Sequence, residues 1–288
     1  MLAYLFVLGL VVGSFINVIS LRYNPDKFLF SREVIGGRSN CPKCKNKLKW
    51  FELVPLLSFI FLRGQCRNCR EKISFQYPLV EFASGLIFLL VSREILSARL
   101  INNLSVTQYS VLIMAYVLIF SILLLITLID IRLKLIPNEL NLLLLLLGVA
   151  IVIISEGSFG FTEGSFLGSY SAIFGFRGNI FLNHLFAAVL GLLFFGLLVV
   201  VTQGRGMGIG DVKLAAVLGI IFGWPDIIII FAISFVIGAI LGLIGIVARR
   251  IKIKGLLPFG PFLAIGSIIV FLWGEKILAA YFDLFGFF

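Results

Sequence analysis

Charge is what this sequence has least of. Only 13% of its 288 residues are Asp, Glu, Lys or Arg, whereas 60% are hydrophobic and the mean hydropathy is +1.13. A soluble globular domain is about a quarter charged, so an ordinary water-soluble enzyme is excluded in favour of a polytopic membrane protein. Acids are scarcer than bases, 14 against 24, for a net charge of +10. Such an excess can mark a nucleic-acid binder, but in so apolar a chain it fits Lys- and Arg-rich cytoplasmic loops, and no nucleic-acid partner is expected. Histidine is nearly absent: His184 stands alone, which excludes an HExxH zinc-protease helix. No Ser/Lys or Cys/His nucleophile set stands out. No Lys or Arg precedes the first apolar run and Arg22 follows it, the reverse of a secretory signal, so the run reads as a retained span. Cysteine is limited to four residues in two CxxC pairs, which suits a metal site better than a disulfide framework.

The expected architecture is an all-α polytopic integral membrane protein of about eight transmembrane helices. Residues 1–21 form the first. Residues 22–77 are polar, hold 12 of the 24 Lys and Arg and all four Cys, and read as a cytoplasmic insertion between helices 1 and 2. Residues 78–288 carry helices 2 to 8, expected near 79–91, 100–129, 138–154, 184–201, 212–222, 227–248 and 259–281. The apolar stretch 53–62 is able to touch the membrane surface, and residues 155–182 read as a loop. With 22–77 cytoplasmic, the loops 130–137, 203–211 and 249–257 share its side, and together these four segments hold 19 of the 24 basic residues. That asymmetry orients the chain, with both termini outside.

In this topology two acids reach the cytoplasmic boundary on different helices. Asp130 ends the apolar run of the third span, and Asp211 opens the sixth within Gly206-Met207-Gly208-Ile209-Gly210-Asp211-Val212-Lys213. Ionisable groups at membrane depth are costly and mark function by default. Two neighbouring carboxylates cannot both ionise easily, so one keeps a proton and the pair can activate water for peptide hydrolysis. The plainer readings are a helix N-cap for Asp211 and a loop acid paired with Arg132 for Asp130. Asp130 lies at the negative end of its helix and Asp211 at the positive end of its own, so Asp130 is expected to hold the shared proton more often. The glycines offer backbone freedom and room for a substrate chain.

Cys41-Pro-Lys-Cys44 and Cys66-Arg-Asn-Cys69, 21 residues apart, have the spacing of a zinc-ribbon-like knuckle pair. Four thiolates leave no open position for water, so a bound zinc would be structural, a staple for a domain with little core of its own. Pro258-Phe259-Gly260-Pro261 implies irregular backbone at membrane depth, tolerated only where protein or water buries it; it is a helix entry or a substrate-facing turn. Glu81 is an interfacial acid or a site residue, and His184, near the outer face, is structural.

Taken in order, these motifs resemble the type IV prepilin peptidases, GxGD-type aspartic proteases of bacterial inner membranes. The resemblance runs through Gly9-Leu-Val-Val-Gly13-Ser-Phe-Ile-Asn17, the two CxxC pairs, Gln76-Tyr77-Pro78-Leu-Val-Glu81, Asp130 to Asn138, Gly206 to Leu214, and Leu257 to Pro261. It implies cleavage of the leader from type IV prepilins and type II secretion pseudopilins at the cytoplasmic face. It also implies N-methylation of the new terminus with S-adenosylmethionine as donor. It assigns Asp130 and Asp211 as the catalytic dyad and Cys41, Cys44, Cys66 and Cys69 as Zn²⁺ ligands. Gly208, Gly210, Lys213, Glu81, Pro258 and Pro261 become supporting or substrate-binding positions. Gln76 departs from the pattern, since members often carry Arg before the Tyr. The alternatives are a leader peptidase without methylation, and a zinc-stabilised transporter using the two aspartates as ion sites. The absence of repeat symmetry between the two halves disfavours the transporter.

Overall fold

Apolar runs uninterrupted by proline become helices, and in the structure, a computed structural model, every element among the described residues is helical. It describes residues 2–97, 106–156, 166–167, 179–248 and 257–284. In chain order the helices are α1 (Leu2–Arg22), α2 (Arg32–Ile35), α3 (Leu57–Phe61), α4 (Gln76–Ser97), α5 (Val106–Leu133), α6 (Asn138–Glu156), α7 (Ile180–Val201), α8 (Ile209–Phe222), α9 (Asp226–Val247) and α10 (Gly260–Leu284). Among the described residues five are long and apolar enough to cross a membrane: α1, the Ser110–Leu133 part of α5, α7, α9 and α10. Residues 98–105, which include the expected start of the third span, most of the loop expected over 155–182 and the basic run Arg249 to Lys254 lie outside the described residues.

The chain divides into two compact units, Met1–Arg93 and Glu94–Phe288. The first takes in the segments expected as 1–21 and 22–77 together with most of α4. Its helices α1 and α4 meet through glycine. A Cβ on Gly9 would lie 2.8 Å from the Gly85 Cα, and one on Gly13 would lie 2.9 Å from the Glu81 Cα. Two small residues four apart let helix backbones touch in this way.

In the second unit α8 is the centre. Leu214, Ala215, Leu218, Ile221 and Phe222 are buried. A Cβ on Gly219 would stand 2.5 Å from the Ala188 nitrogen of α7, and one on Gly148 of α6 would meet the Ile221 side chain at 2.9 Å. At 14 residues α8 is only about 21 Å long, short for a bilayer core of about 30 Å. Enclosure by its neighbours removes the requirement to match the lipid. On the other side α10 lies against α9, where the Ser234 hydroxyl donates to the Ile230 carbonyl at 2.6 Å and to the Phe262 carbonyl at 3.0 Å.

Several helix ends differ from expectation: α4 spans Gln76–Ser97 rather than 79–91, since Ser92-Arg93-Glu94 holds no helix breaker, and α7 begins at Ile180 rather than 184, capped by Asn179. Two further ends bear on the site. α5 does not stop at Asp130: it continues one turn to Leu133 and closes at Lys134, whose φ is +56° and whose N–H bonds the Asp130 carbonyl at 2.8 Å. Nothing in Ile131-Arg132-Leu133 breaks a helix, so a charge at the end of an apolar run did not end the hydrogen bonding. α8 begins at Ile209, three residues earlier than expected. The N-cap is therefore Gly208, and Asp211 sits inside the first turn.

Candidate active site

Each aspartate is delivered by a helix end and held by a glycine N–H. Asp211 is the third residue of α8, and its Oδ2 reaches back to accept the Gly208 N–H at 3.0 Å. That bond satisfies a donor that would otherwise be orphaned at the helix start. Asp130 lies in the last turn of α5, and its Oδ2 accepts the Gly260 N–H at 3.0 Å. Gly260 is the first residue of α10, so the Asp130 carboxylate faces the positive end of a helix other than its own. The asymmetry argued from α5 alone leaves this second helix end out. The unfavourable end of α5 is offset by α10, and both carboxylates sit at helix N-termini.

Both side chains are buried, with Asp130 4% and Asp211 8% exposed, and the two carboxyls lie within electrostatic reach of each other. The loop between α5 and α6 holds the arrangement together. Ile136 packs within 3.2 Å of where a Gly210 Cβ would stand and within 3.4 Å of one on Gly260. Lys213 Nζ donates to the Asn138 side-chain carbonyl at 2.8 Å. The start of α8 and the start of α6 are thus tied by a polar bond and by the packing of Ile136.

The expected supporting residues fall into three groups. Gly210 and the Pro258–Pro261 turn come to the aspartates, the turn acting through the Gly260 backbone rather than through its prolines, while Lys213 reaches Asn138 instead. Gly208 supplies the N–H to Asp211 and leaves its own face open, since a Cβ there would make only ordinary contacts, the nearest at 3.7 Å from Asp211 Oδ2. Positive φ is not what these glycines provide: Gly208 is extended at −89°, 158°, and none of Gly206, Gly208 and Gly210 lies in the left-handed region. Glu81 belongs to the first unit, where its carboxylate accepts the Leu56 N–H at 2.8 Å. Gln76, the departure from the family pattern, donates to the buried Asn17 side chain at 2.8 Å. His184 binds the Ile220 carbonyl through Nδ1 at 2.8 Å, in keeping with a structural part.

Gly260, Ile136 and Asn138 stood in the sequence only within motifs and not as site residues of their own. A glycine between two prolines at a helix start was the available signal for Gly260. Asp226, buried at the start of α9, also escaped notice; it accepts the Phe166 N–H at 2.9 Å and helps seat Phe166 among Tyr116, Phe222 and Phe271.

In the first unit the four cysteine sulfurs lie within 4.8 Å of one another, and the Cys41 and Cys69 sulfurs are 3.8 Å apart. Tetrahedral metal–thiolate bonds of about 2.3 Å separate sulfurs by about 3.8 Å, so the cluster can hold a metal ion. Each pair forms a knuckle. Cys41 N–H bonds the Asn46 carbonyl and Cys66 N–H the Glu71 carbonyl, with Lys45 and Arg70 in left-handed turns and bridges pairing Asn40 with Lys47 and Gln65 with Lys72. Backbone N–H groups aimed at the sulfurs favour thiolate. That of Asn46 brings Cys44 down to about 7, and those of Cys69 and Asn68 lower Cys66. At Cys69 the Glu71 N–H pulls the same way, but burial and the three neighbouring sulfurs outweigh it and push the thiol up to about 11.

Comparison with known proteins fits this division. Residues 7–95 match the bacterial peptidase A24 N-terminal domain and residues 117–243 the type IV leader peptidase family. A prepilin leader peptidase/N-methyltransferase of Bacillus subtilis is 31% identical over 281 residues, covering 98% of both chains. Proteins of the same description from Stutzerimonas stutzeri and Pseudomonas aeruginosa are 33% and 32% identical, covering 96% and 97% of this chain and 91% and 93% of theirs. The chain belongs to the type IV leader peptidase family. The first matched region lies almost wholly within the Met1–Arg93 unit, and the second contains both aspartates. No solved structure matches the chain.

Proposed function

We propose that this leader peptidase family member cleaves prepilin and pseudopilin leaders with a water activated between Asp130 and Asp211, and that it N-methylates the product. The observation that carries the reading is the paired tethering: two buried carboxylates on separate helices, each held by a glycine N–H at a helix start. With one carboxyl protonated and the other ionised, the ionised oxygen takes a proton from water as the water oxygen attacks the scissile carbonyl carbon. The protonated carboxyl donates to the carbonyl oxygen. Collapse of the tetrahedral intermediate breaks the C–N bond, and the proton taken from water passes to the leaving amine. The Gly260 and Gly208 N–H groups hold the carboxylates in place, and the open face of Gly208 gives the substrate backbone room to lie beside Asp211.

The topology we propose has eight spans in a bacterial inner membrane, with the cysteine domain and both aspartates on the cytoplasmic side. Cys41, Cys44, Cys66 and Cys69 would hold a structural Zn²⁺. Methylation would draw its methyl group from S-adenosylmethionine. A cavity of about 460 Å³ in the first unit does not suit that cationic donor: Arg22 is the one charged side chain among its lining residues, and no acid joins it. No step is assigned there. Incubating prepilin with the wild type and with Asp130→Asn and Asp211→Asn tests the peptidase reading. The wild type is expected to release the leader and each variant to leave it attached.

A further inference from the structure

The segment joining the two cysteine knuckles is the most apolar part of the first unit outside its long helices, and the cleavage mechanism gives it no task. It comprises a single 3-10 turn at Trp50–Glu52, a bend at Val54–Leu56 and the short α3. Its side chains are left uncovered: Trp50 is 79% exposed, Ile60 67% and Phe61 80%, and Leu53 and Leu57 are exposed as well. A patch of that size in water is costly and marks a surface that something apolar covers.

Its position along α1 says what covers it. Leu56 donates its N–H to Glu81, and the Glu81 Cα lies opposite Gly13 of α1. Gly13 is nine residues before Arg22, about 13 Å along the helix axis. Trp50, Leu53, Val54 and Pro55 line the same cavity as Val11, Phe15 and Val18 of α1. The segment therefore does not stand off the end of α1; it runs alongside the helix between the levels of Val11 and Arg22, which lines the cavity too. Backbone at membrane depth must find its hydrogen bonds within the protein, and the buried Glu81 carboxylate, 6% exposed, supplies one to the bend at Leu56, a residue with φ of +59°. Charge brackets the segment. Lys45, Lys47 and Lys49 precede it and Arg63 and Arg67 follow, all exposed. The one acid between them, Glu52, accepts the Lys49 N–H at 2.7 Å. An apolar stretch framed by cations is the pattern of a segment seated in an anionic lipid leaflet, with its side chains among acyl chains and its cations at the phosphates.

We infer that Trp50–Phe61 is a membrane wedge, inserted beside α1 into the leaflet at the Arg22 end and held by anionic phospholipid. This rests on the proposed topology, in which α1 crosses the bilayer with Arg22 at its cytoplasmic end. The wedge fixes the cysteine domain against the membrane at a third point besides α1 and α4, and it gives Glu81 a task separate from catalysis.

The test uses the full chain in nanodiscs of phosphatidylcholine and phosphatidylglycerol. Of the three tryptophans, Trp224 and Trp273 are replaced by Phe, and retained leader cleavage verifies the fold. Trp50 is expected to lose most of its emission when the lipids carry bromine on their acyl chains, and to resist aqueous iodide. Quenching by iodide alone would place the segment in water and overturn the proposal. Resistance to both quenchers would show protein covering it and would overturn the proposal equally. A companion chain with Trp50, Trp224 and Trp273 all replaced by Phe and Leu8→Trp added reports on α1 itself. Acyl bromine quenching residue 8 but not residue 50 removes the wedge and leaves the topology standing. Quenching at neither position removes both.

Discussion

At the scale of single residues the account depends on two carboxylates acting as one unit. Asp130→Asn and Asp211→Asn are each expected to lower the cleavage rate by roughly 10²- to 10⁴-fold, the range of a lost acid–base group. The double variant should be little worse than either, because members of one catalytic unit are strongly non-additive. Single-turnover cleavage of a prepilin by purified enzyme measures both. Two glycines near these acids should respond in opposite ways. A Cβ on Gly260 would stand 2.8 Å from Asp130 Oδ2, so Gly260→Ala displaces the carboxylate and is expected to lower kcat with little change in KM. Gly208 has extended backbone and open space. Gly208→Ala should therefore leave thermal stability unchanged and raise KM, as expected if substrate backbone runs past that face. An unchanged KM would move the substrate elsewhere. Neither the Gly260 contact nor the Ile136 contact was legible in the sequence. A backbone N–H carries no side-chain signature, and only tertiary packing brings residue 260 to residue 130.

Among the elements, close helix contact and the cysteine knuckles make separate predictions. Gly219→Ala would place a Cβ 2.5 Å from the α7 backbone. Forcing α7 and α8 apart is expected to cost about 1–3 kcal/mol, the usual range for overpacking, read as a lower Tm in detergent. The knuckles are held by a few backbone bonds and little core, so a bound metal would account for most of their order. Stripping it with a chelator, or replacing Cys41 and Cys66 by Ser, should open Lys43–Lys49 and Arg63–Arg70 to trypsin, with the pattern over α5–α10 unchanged. An identical digest with and without metal would show the knuckles to be self-sufficient. The knuckles were legible because CxxC spacing is a local signal. The end of α5 and the start of α8 were not, because a charge at the edge of an apolar run marks a change of polarity and not a helix boundary. Hydrogen bonding follows backbone geometry instead, and carries Asp130 into the last turn of α5 and Asp211 into the first turn of α8.

For the whole molecule, composition alone separated a membrane protein from a soluble one, and the apolar runs located α1, α6, α9 and α10 to within a few residues, while α4 runs past the expected end at 91 to Ser97 because Arg93 and Glu94 do not break a helix. Span status was harder to read. Among the described residues five helices meet the length and hydropathy of a membrane crossing, whereas α4 carries Glu81, Arg93 and Glu94 and α8 is short, bounded by Gly208 and Gly223. Family membership joins the cysteine domain and the aspartate unit in one chain, as in relatives matched along nearly their full length. The central claim is that the Asp130–Asp211 pair performs the cleavage and that the same chain methylates the product. Mass spectrometry of one prepilin tests it directly, after incubation with wild type, Asp130→Asn or Asp211→Asn, each with and without S-adenosylmethionine. The account predicts leader loss with wild type under both conditions, one added methyl group only when the donor is present, and intact prepilin with either variant. Leader release by either Asn variant at the wild-type rate would contradict it.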